Sequence, residues 1–283
     1  MDKYGLVLEG GGMRGAYTAG ALSWFIDHNI MFDYGVGISA GAIHLCSYLL
    51  KDKDLLYNIS VEYTANPNNV GIKPLLREGR LVGYEYMFYD VLVKTLHYDI
   101  KTVNQNDQYE IGLYDLKQQA PVFIKTSTLD QECKLLKASC TLPIAGKIVE
   151  YNDHLYLDAG IKVMIPFEQS LVNGCNKQFV IVTKPEGYIR KAAGFFARLL
   201  IKFNYLKYPQ IFKDYCVRHI NYQKQMDMVL DAVEKKEAFL IRPSKKIKVN
   251  RFSGDYESLK ELYHLGYQDM EAQKDAILAF LKK

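Results

Sequence analysis

A serine set between two glycines, Gly37-Ile38-Ser39-Ala40-Gly41, offers a nucleophile in a setting that can activate it. Such a hydroxyl must be lifted clear of the backbone, lose its proton as it attacks, and face donors for the negative charge that attack creates. Gly37 and Gly41 lack a Cβ, so a strand can reverse sharply into a helix around Ser39 without collision. Tyr34 to Ile38 reads as a short buried strand, and Ala42 to Leu50 as a largely apolar helix. Ser39 then stands at a helix N-terminus, where orphan N–H groups favour an acyl-transfer oxyanion. The position equally suits a serine that merely caps the helix.

The proton must go to a base. Of the six histidines, His28, His44, His97, His154, His219 and His264, none lies in a marking motif, and His154 draws notice only because it is four residues from Asp158. A carboxylate at a strand end can do the same work if burial raises its basicity. Asp158 fits, because Ile148 to Tyr151 and His154 to Leu157 flank the turn Asn152-Asp153 and deliver Asp158-Ala159-Gly160 at the end of a hairpin. The third component is Gly10-Gly11-Gly12-Met13-Arg14-Gly15, where consecutive backbone N–H groups can converge on an oxyanion and Arg14 adds positive charge nearby.

That loop also satisfies the dinucleotide-binding spacing at Gly10, Gly12 and Gly15. A nucleotide site of that kind requires an acidic residue at the end of the second strand. Here the strand ends in Gly37-Ile38-Ser39, with Asp33 before it instead, which argues against a nicotinamide cofactor.

Taken together, the glycine loop, the Ser39 motif, Ala138-Ser139-Cys140-Thr141-Leu142-Pro143 and Asp158-Ala159-Gly160 resemble the patatin-like phospholipase family in identity, order and spacing. The resemblance spans about residues 4–185. It implies a three-layer α/β/α fold and a Ser-Asp dyad with no histidine; the repeated strand–turn–helix plan points to a mostly parallel sheet, apolar spacing to a helical C-terminal region, and the dyad chemistry requires no metal or cofactor. Carried over by position, Ser39 is the nucleophile, Asp158 the base, and Gly10, Gly11 and Gly12 with Arg14 the oxyanion loop, while Gly15, Gly37, Gly41 and Gly160 complete the motifs. The expected substrates are lipid or phospholipid esters, with acyl transfer, thioester cleavage and non-hydrolytic lipid binding as alternatives. Ala159 stands where the family usually shows glycine, and is tolerated if its φ stays negative.

Composition sets the frame. A chain of 283 residues, 49% hydrophobic, has ample material for one core, and 36 basic against 32 acidic side chains leave +4, too balanced for nucleic acid as the main partner. Five cysteines with no C-x-x-C pair suit reduced thiols. The N-terminus has no export-signal pattern and no run of 18 apolar residues occurs, so a cytoplasmic protein is expected.

The elements that position these residues follow the same pattern. Strands are expected at 4–8, 34–38, 121–128, 179–183 and 238–241, with residues 1–185 as catalytic core and 186–283 as a helical part packed on the same domain. Residues 215–236 and 255–281 each read as one helix, and 84–98 as a tyrosine-rich helical cap or lid. From Tyr188 to Lys213 six basic residues interleave with Phe195, Phe196, Leu199, Leu200, Ile201, Phe203 and Leu206, with no acid among them. That mixture suits peripheral contact with an anionic membrane, or an ordinary helix that buries its apolar face.

Overall fold

The computed structural model describes residues 2–282. Eight strands among them form one sheet: Tyr4–Leu8 (β1), Tyr34–Ile38 (β2), Tyr109–Asp115 (β3), Ala120–Lys125 (β4), Val149–Tyr151 (β5), His154–Asp158 (β6), Lys177–Ile181 (β7) and Ala238–Ile241 (β8). β8, β7, β1, β2 and β3 lie side by side in parallel. The interior positions of β7, β1, β2 and β3 are almost wholly buried, as expected for strands covered on both faces, while Phe239 and Leu240 of the edge strand β8 are half-buried.

The covering layers follow from alternation along β1. Leu6 and Leu8 pack with the helices Gly15–Asp27 (α1), Ala40–Leu49 (α2) and Tyr256–Ala272, while Val7 packs with Phe167–Val172 and Arg218–Glu234 on the opposite face. The architecture is therefore three-layered α/β/α. The C-terminal third also supplies β8, which pairs along β7, and its helix Tyr256–Ala272 lies hard against α1. There, a Cβ on Gly20 would sit 1.8 Å from the Tyr263 carbonyl oxygen, and one on Gly266 would sit 2.1 Å from that of Tyr17.

β3 was not anticipated as a strand, and it organises the site. β4 pairs antiparallel with Glu110 to Asp115 of β3. A strand has only two edges, so β2, opposite Tyr109 to Gly112, and β6, opposite Leu113 to Asp115, must share the other edge in tandem. β2 runs parallel to β3 and β6 antiparallel, so their C-terminal ends approach head-on. Ile38 lies opposite Gly112 and Asp158 opposite the next residue, Leu113.

Three helical expectations are corrected. The span 215–236 is broken at Val217 into Pro209–Cys216 and Arg218–Glu234, and 255–281 is broken at Gln273 into Tyr256–Ala272 and Lys274–Leu281. Within 84–98 the helix is Tyr86–Thr95, wound wide, as in the Leu96 N–H bond to the Val91 carbonyl at 2.8 Å. The basic, aromatic segment forms the helix Phe195–Asn204, in which Ile201 is buried but Phe195, Phe196 and Phe203 are 66%, 78% and 62% exposed. This is not an ordinary helix turned inward on its apolar face. No helix among the described residues is long and apolar enough to cross a membrane.

Candidate active site

Ser39 takes φ 55° and ψ −125°, outside the regions an L residue prefers, at a cost of about 1–3 kcal/mol. Its side chain makes no cap bond to α2, which removes the helix-capping reading. The elbow requires its glycines on steric grounds. A Cβ on Gly37 would come within 2.4 Å of the Gly41 carbonyl oxygen, and one on Gly41 within 2.7 Å of that of Leu8. The strain therefore falls on the serine, while the glycines let the turn close against β1.

Asp158 ends β6 directly across from this elbow. Its Oδ1 accepts from the Gly160 N–H at 2.6 Å, and its Oδ2 is buried with no hydrogen-bond partner. Burial raises the carboxyl above its ordinary range, while the facing Ser39 hydroxyl, the Gly160 N–H and the charges of Arg218 and Arg251 pull it partly back. The Ser39 hydroxyl and the Asp158 carboxylate thus share one small enclosed space. Ala159, which follows, is absent from the residues of positive φ.

The segment 138–143 braces both partners. The Cys140 thiol donates to the Ser39 carbonyl at 3.2 Å, and the Thr141 carbonyl accepts from the Asp158 N–H at 2.9 Å. His154 lies elsewhere: its Nδ1 is paired with Asp115 at 2.5 Å, and it begins the strand that Asp158 ends, about 13 Å away at strand rise. His44, one turn into α2, is buried with an unpartnered Nδ1, and burial pushes it down to about 4.

Gly10 packs against Ser39 so closely that a Cβ would lie 3.1 Å from the serine Cβ. The Gly10 N–H is committed to the Met164 carbonyl at 3.1 Å, whereas among the described residues no partner is found for the N–H groups of Gly11 and Gly12. Behind the loop, Glu9 is wholly buried. Its Oε2 accepts from the Thr183 N–H at 2.6 Å and from the Thr183 hydroxyl at 2.9 Å, and its Oε1 pairs with the buried Lys184 ammonium, which also reaches the Gly10 carbonyl at 3.3 Å. Burial draws Lys184 down to about 7 against the raising effect of Glu9. Gly15 opens α1 where a side chain would meet His44 and Ala40. Arg14 lines a separate surface cavity with Lys184 and Tyr188.

Two cavities meet at Ser39. An apolar one of about 110 Å³ runs between α2 and the 82–88 segment, with Ile43, Val82, Met87 and Phe88 on its walls. The segment expected as a cap thus forms one side of the cavity that opens at Ser39. A second, of about 10 Å³, is enclosed by Gly10, Gly11, Gly12, Ser39, Asp158, Arg218 and Arg251. Sequence reasoning missed both arginines. Arg218 is buried and its Nε donates to the Gly160 carbonyl at 2.7 Å, while Arg251 comes from the loop before Tyr256–Ala272. No local motif marks either. Among the described residues no cluster of three or more His, Cys, Asp or Glu side chains is gathered to hold a metal ion.

A family model described as patatin-like phospholipase matches residues 6–171, more than half of the chain. The chain belongs to the patatin-like phospholipase family. A second model, a domain of unknown function, matches residues 208–282 of this patatin-like chain. It is 25% identical over 189 residues to the uncharacterized protein YjjU of Escherichia coli, covering 64% of this chain and 52% of that protein. It is 26% identical over 206 residues to the probable lipid hydrolase 463L of Invertebrate iridescent virus 6, covering 59% of this chain and 68% of the viral one. The chain thus spans about half the length of YjjU. Among solved structures, VipD from Legionella pneumophila aligns over 98% of this chain and 67% of its own, at 11% identity and a TM-score of 0.45.

Proposed function

We propose that this patatin-like protein hydrolyses carboxyl esters of lipids through a Ser39-Asp158 dyad. The observation that carries the reading is the head-on meeting of β2 and β6 on one edge of β3, which brings a strained serine hydroxyl opposite a buried carboxylate with a free oxygen. As Ser39 Oγ attacks the ester carbonyl, its proton passes to Asp158 Oδ2. The uncommitted N–H groups of Gly11 and Gly12 receive the oxyanion. The alcohol departs with the proton from Asp158, leaving the acyl group on Ser39 and its chain in the apolar cavity. Water then gives up a proton to Asp158, attacks the acyl-enzyme and restores the serine.

A fluorophosphonate probe tests the nucleophile. Wild type is expected to gain one probe mass on Ser39 and Ser39→Ala none. Folded wild type that stays unlabelled would instead favour a lipid-binding protein without turnover.

The same reading includes peripheral membrane contact through Phe195–Asn204, whose exposed phenylalanines are interleaved with Arg198 and Lys202 and followed by Lys207. Vesicles containing anionic lipid are expected to retain the protein better than neutral ones, with retention falling as salt rises. Replacing Phe196 and Phe203 together by Asp should weaken binding about 100-fold or more, since each inserted ring contributes roughly 1.5–3 kcal/mol. Equal flotation of wild type and double variant would remove the membrane surface from the proposal.

A further inference from the structure

The small cavity at Ser39 is lined mostly by the matched patatin-like segment, but two of its walls, Arg218 and Arg251, lie outside that segment. Its volume of about 10 Å³ is that of a single oxygen atom or water, far short of a substrate headgroup. Four residues line both this cavity and the apolar one: Gly12, Ser39, Leu142 and Arg251. Arg251 is the one charged side chain at that junction, where the ester carbonyl must sit if its acyl chain fills the apolar side. Its segment is docked on the glycine loop. The Arg251 carbonyl accepts from the Met13 N–H at 3.3 Å, and Gly12, at φ 60°, lets the chain approach so near that a Cβ there would lie 2.6 Å from that carbonyl.

Arg218 reaches the cavity from the other side. Its Nε holds the Gly160 carbonyl at 2.7 Å, and the Gly160 N–H in turn holds Asp158 Oδ1 at 2.6 Å, so guanidinium, turn and carboxylate form one chain of bonds. Both arginines come from the C-terminal third, more than 170 residues after Ser39.

We propose that the C-terminal region completes the active site, with Arg251 a catalytic residue that places positive charge on the oxyanion beside the glycine-loop amides, and Arg218 a positioning residue that orients Asp158. The inference rests on the Ser39-Asp158 reading. In the acylation step no atom of either arginine is transferred. Oxygen of the carbonyl gains the electron pair, Arg251 donates a hydrogen bond to it, and the pair returns when the alcohol leaves. Removing one oxyanion donor typically costs about 10²–10³ in kcat.

The test compares wild type, Arg251→Met, Arg251→Ala, Arg251→Lys and Arg218→Gln on a soluble p-nitrophenyl ester, with fluorophosphonate labelling in parallel. Arg251→Met should lose about 10²–10³-fold in kcat with little change in KM, and Arg251→Lys should recover part of it. Added guanidinium, at concentrations far below those that unfold proteins, should accelerate Arg251→Ala and leave Ser39→Ala inert. Arg218→Gln should move the acid limb of the pH–rate profile upward, because Asp158 loses a charge that favours its ionised form. An Arg251→Met protein that labels and turns over within about 3-fold of wild type would overturn the proposal, given the effect expected of an oxyanion donor. So would a loss that follows the loss of folded protein and resists guanidinium rescue. Wild type that neither labels nor turns over would instead strike the dyad itself, a separate failure.

Discussion

Replacing Asp158 by Asn is expected to lower kcat by about 10⁴-fold, the scale seen when the carboxylate of a serine-hydrolase triad loses its charge. The amide can still accept the Gly160 N–H, so the turn after β6 survives. What it cannot do is take the Ser39 proton. Thermal unfolding should shift little or upward, because the substitution removes a buried carboxylate whose Oδ2 is unpartnered. Wild-type kcat/KM should fall as pH drops through the Asp158 pKa. Burial raises that pKa, so the acid limb lies above the ordinary aspartate range near 4. A variant retaining more than a tenth of wild-type kcat would place the base elsewhere. His44 is the imidazole on the cavity wall, whereas His154 is held by Asp115.

The largest stability effect is expected at Lys184→Met. Lys184 and Glu9 are both buried and bonded to each other beneath the glycine loop, and removing one partner strands the other charge away from water. Such losses run to about 3–5 kcal/mol. For a chain of this length that is a fall in Tm of about 5–8 °C. The double variant Glu9→Gln, Lys184→Met should recover much of the loss, since the isolated charge is gone. Calorimetry of the two variants beside wild type separates these outcomes, and equal melting of Lys184→Met and wild type would show the pair to be energetically idle. Because Lys184 also reaches the Gly10 carbonyl, Ser39 labelling should slow in the single variant even where it remains folded.

Much of this architecture was legible in the chain. The glycine loop and the Ser39 motif each lie between a short apolar run and a helical one, so the first two strand–turn–helix units could be read residue by residue. The hairpin ending in Asp158 was equally plain, because its turn residues separate two strand-like runs. β3 was not. Tyr109-Glu110-Ile111-Gly112-Leu113-Tyr114-Asp115 carries acids at its second and last positions and a glycine in the middle, so it shows neither alternation nor an unbroken apolar run. The Glu110 carboxylate is satisfied only by tertiary partners, the Tyr34 hydroxyl among them, while Asp115 caps the turn that follows, accepting from the Lys117 and Gln118 N–H groups, and pairs with His154. The reason Ser39 and Asp158 meet was therefore hidden with it. Arg218 and Arg251 were illegible for a different reason. A lone arginine at a helix start or in a loop has no spacing to mark it, and only the sheet and the docking of 249–252 on Gly12 bring these two to Ser39.

The close packing of Gly20 and Gly266 bears on how the protein is made. Chains emerge from the ribosome N-terminus first. Every motif residue from Gly10 to Gly160 is thus synthesised well before the helix Tyr256–Ala272 that covers α1. Until that helix arrives, the Tyr17 hydroxyl lacks Asp269, Ser23 lacks the Tyr263 hydroxyl and the Trp24 indole N–H lacks Glu271. The bare face of α1 is then an adhesive surface rather than a core. A chain cut short before Tyr256 would therefore leave these buried polar groups and the apolar face of α1 bare to solvent.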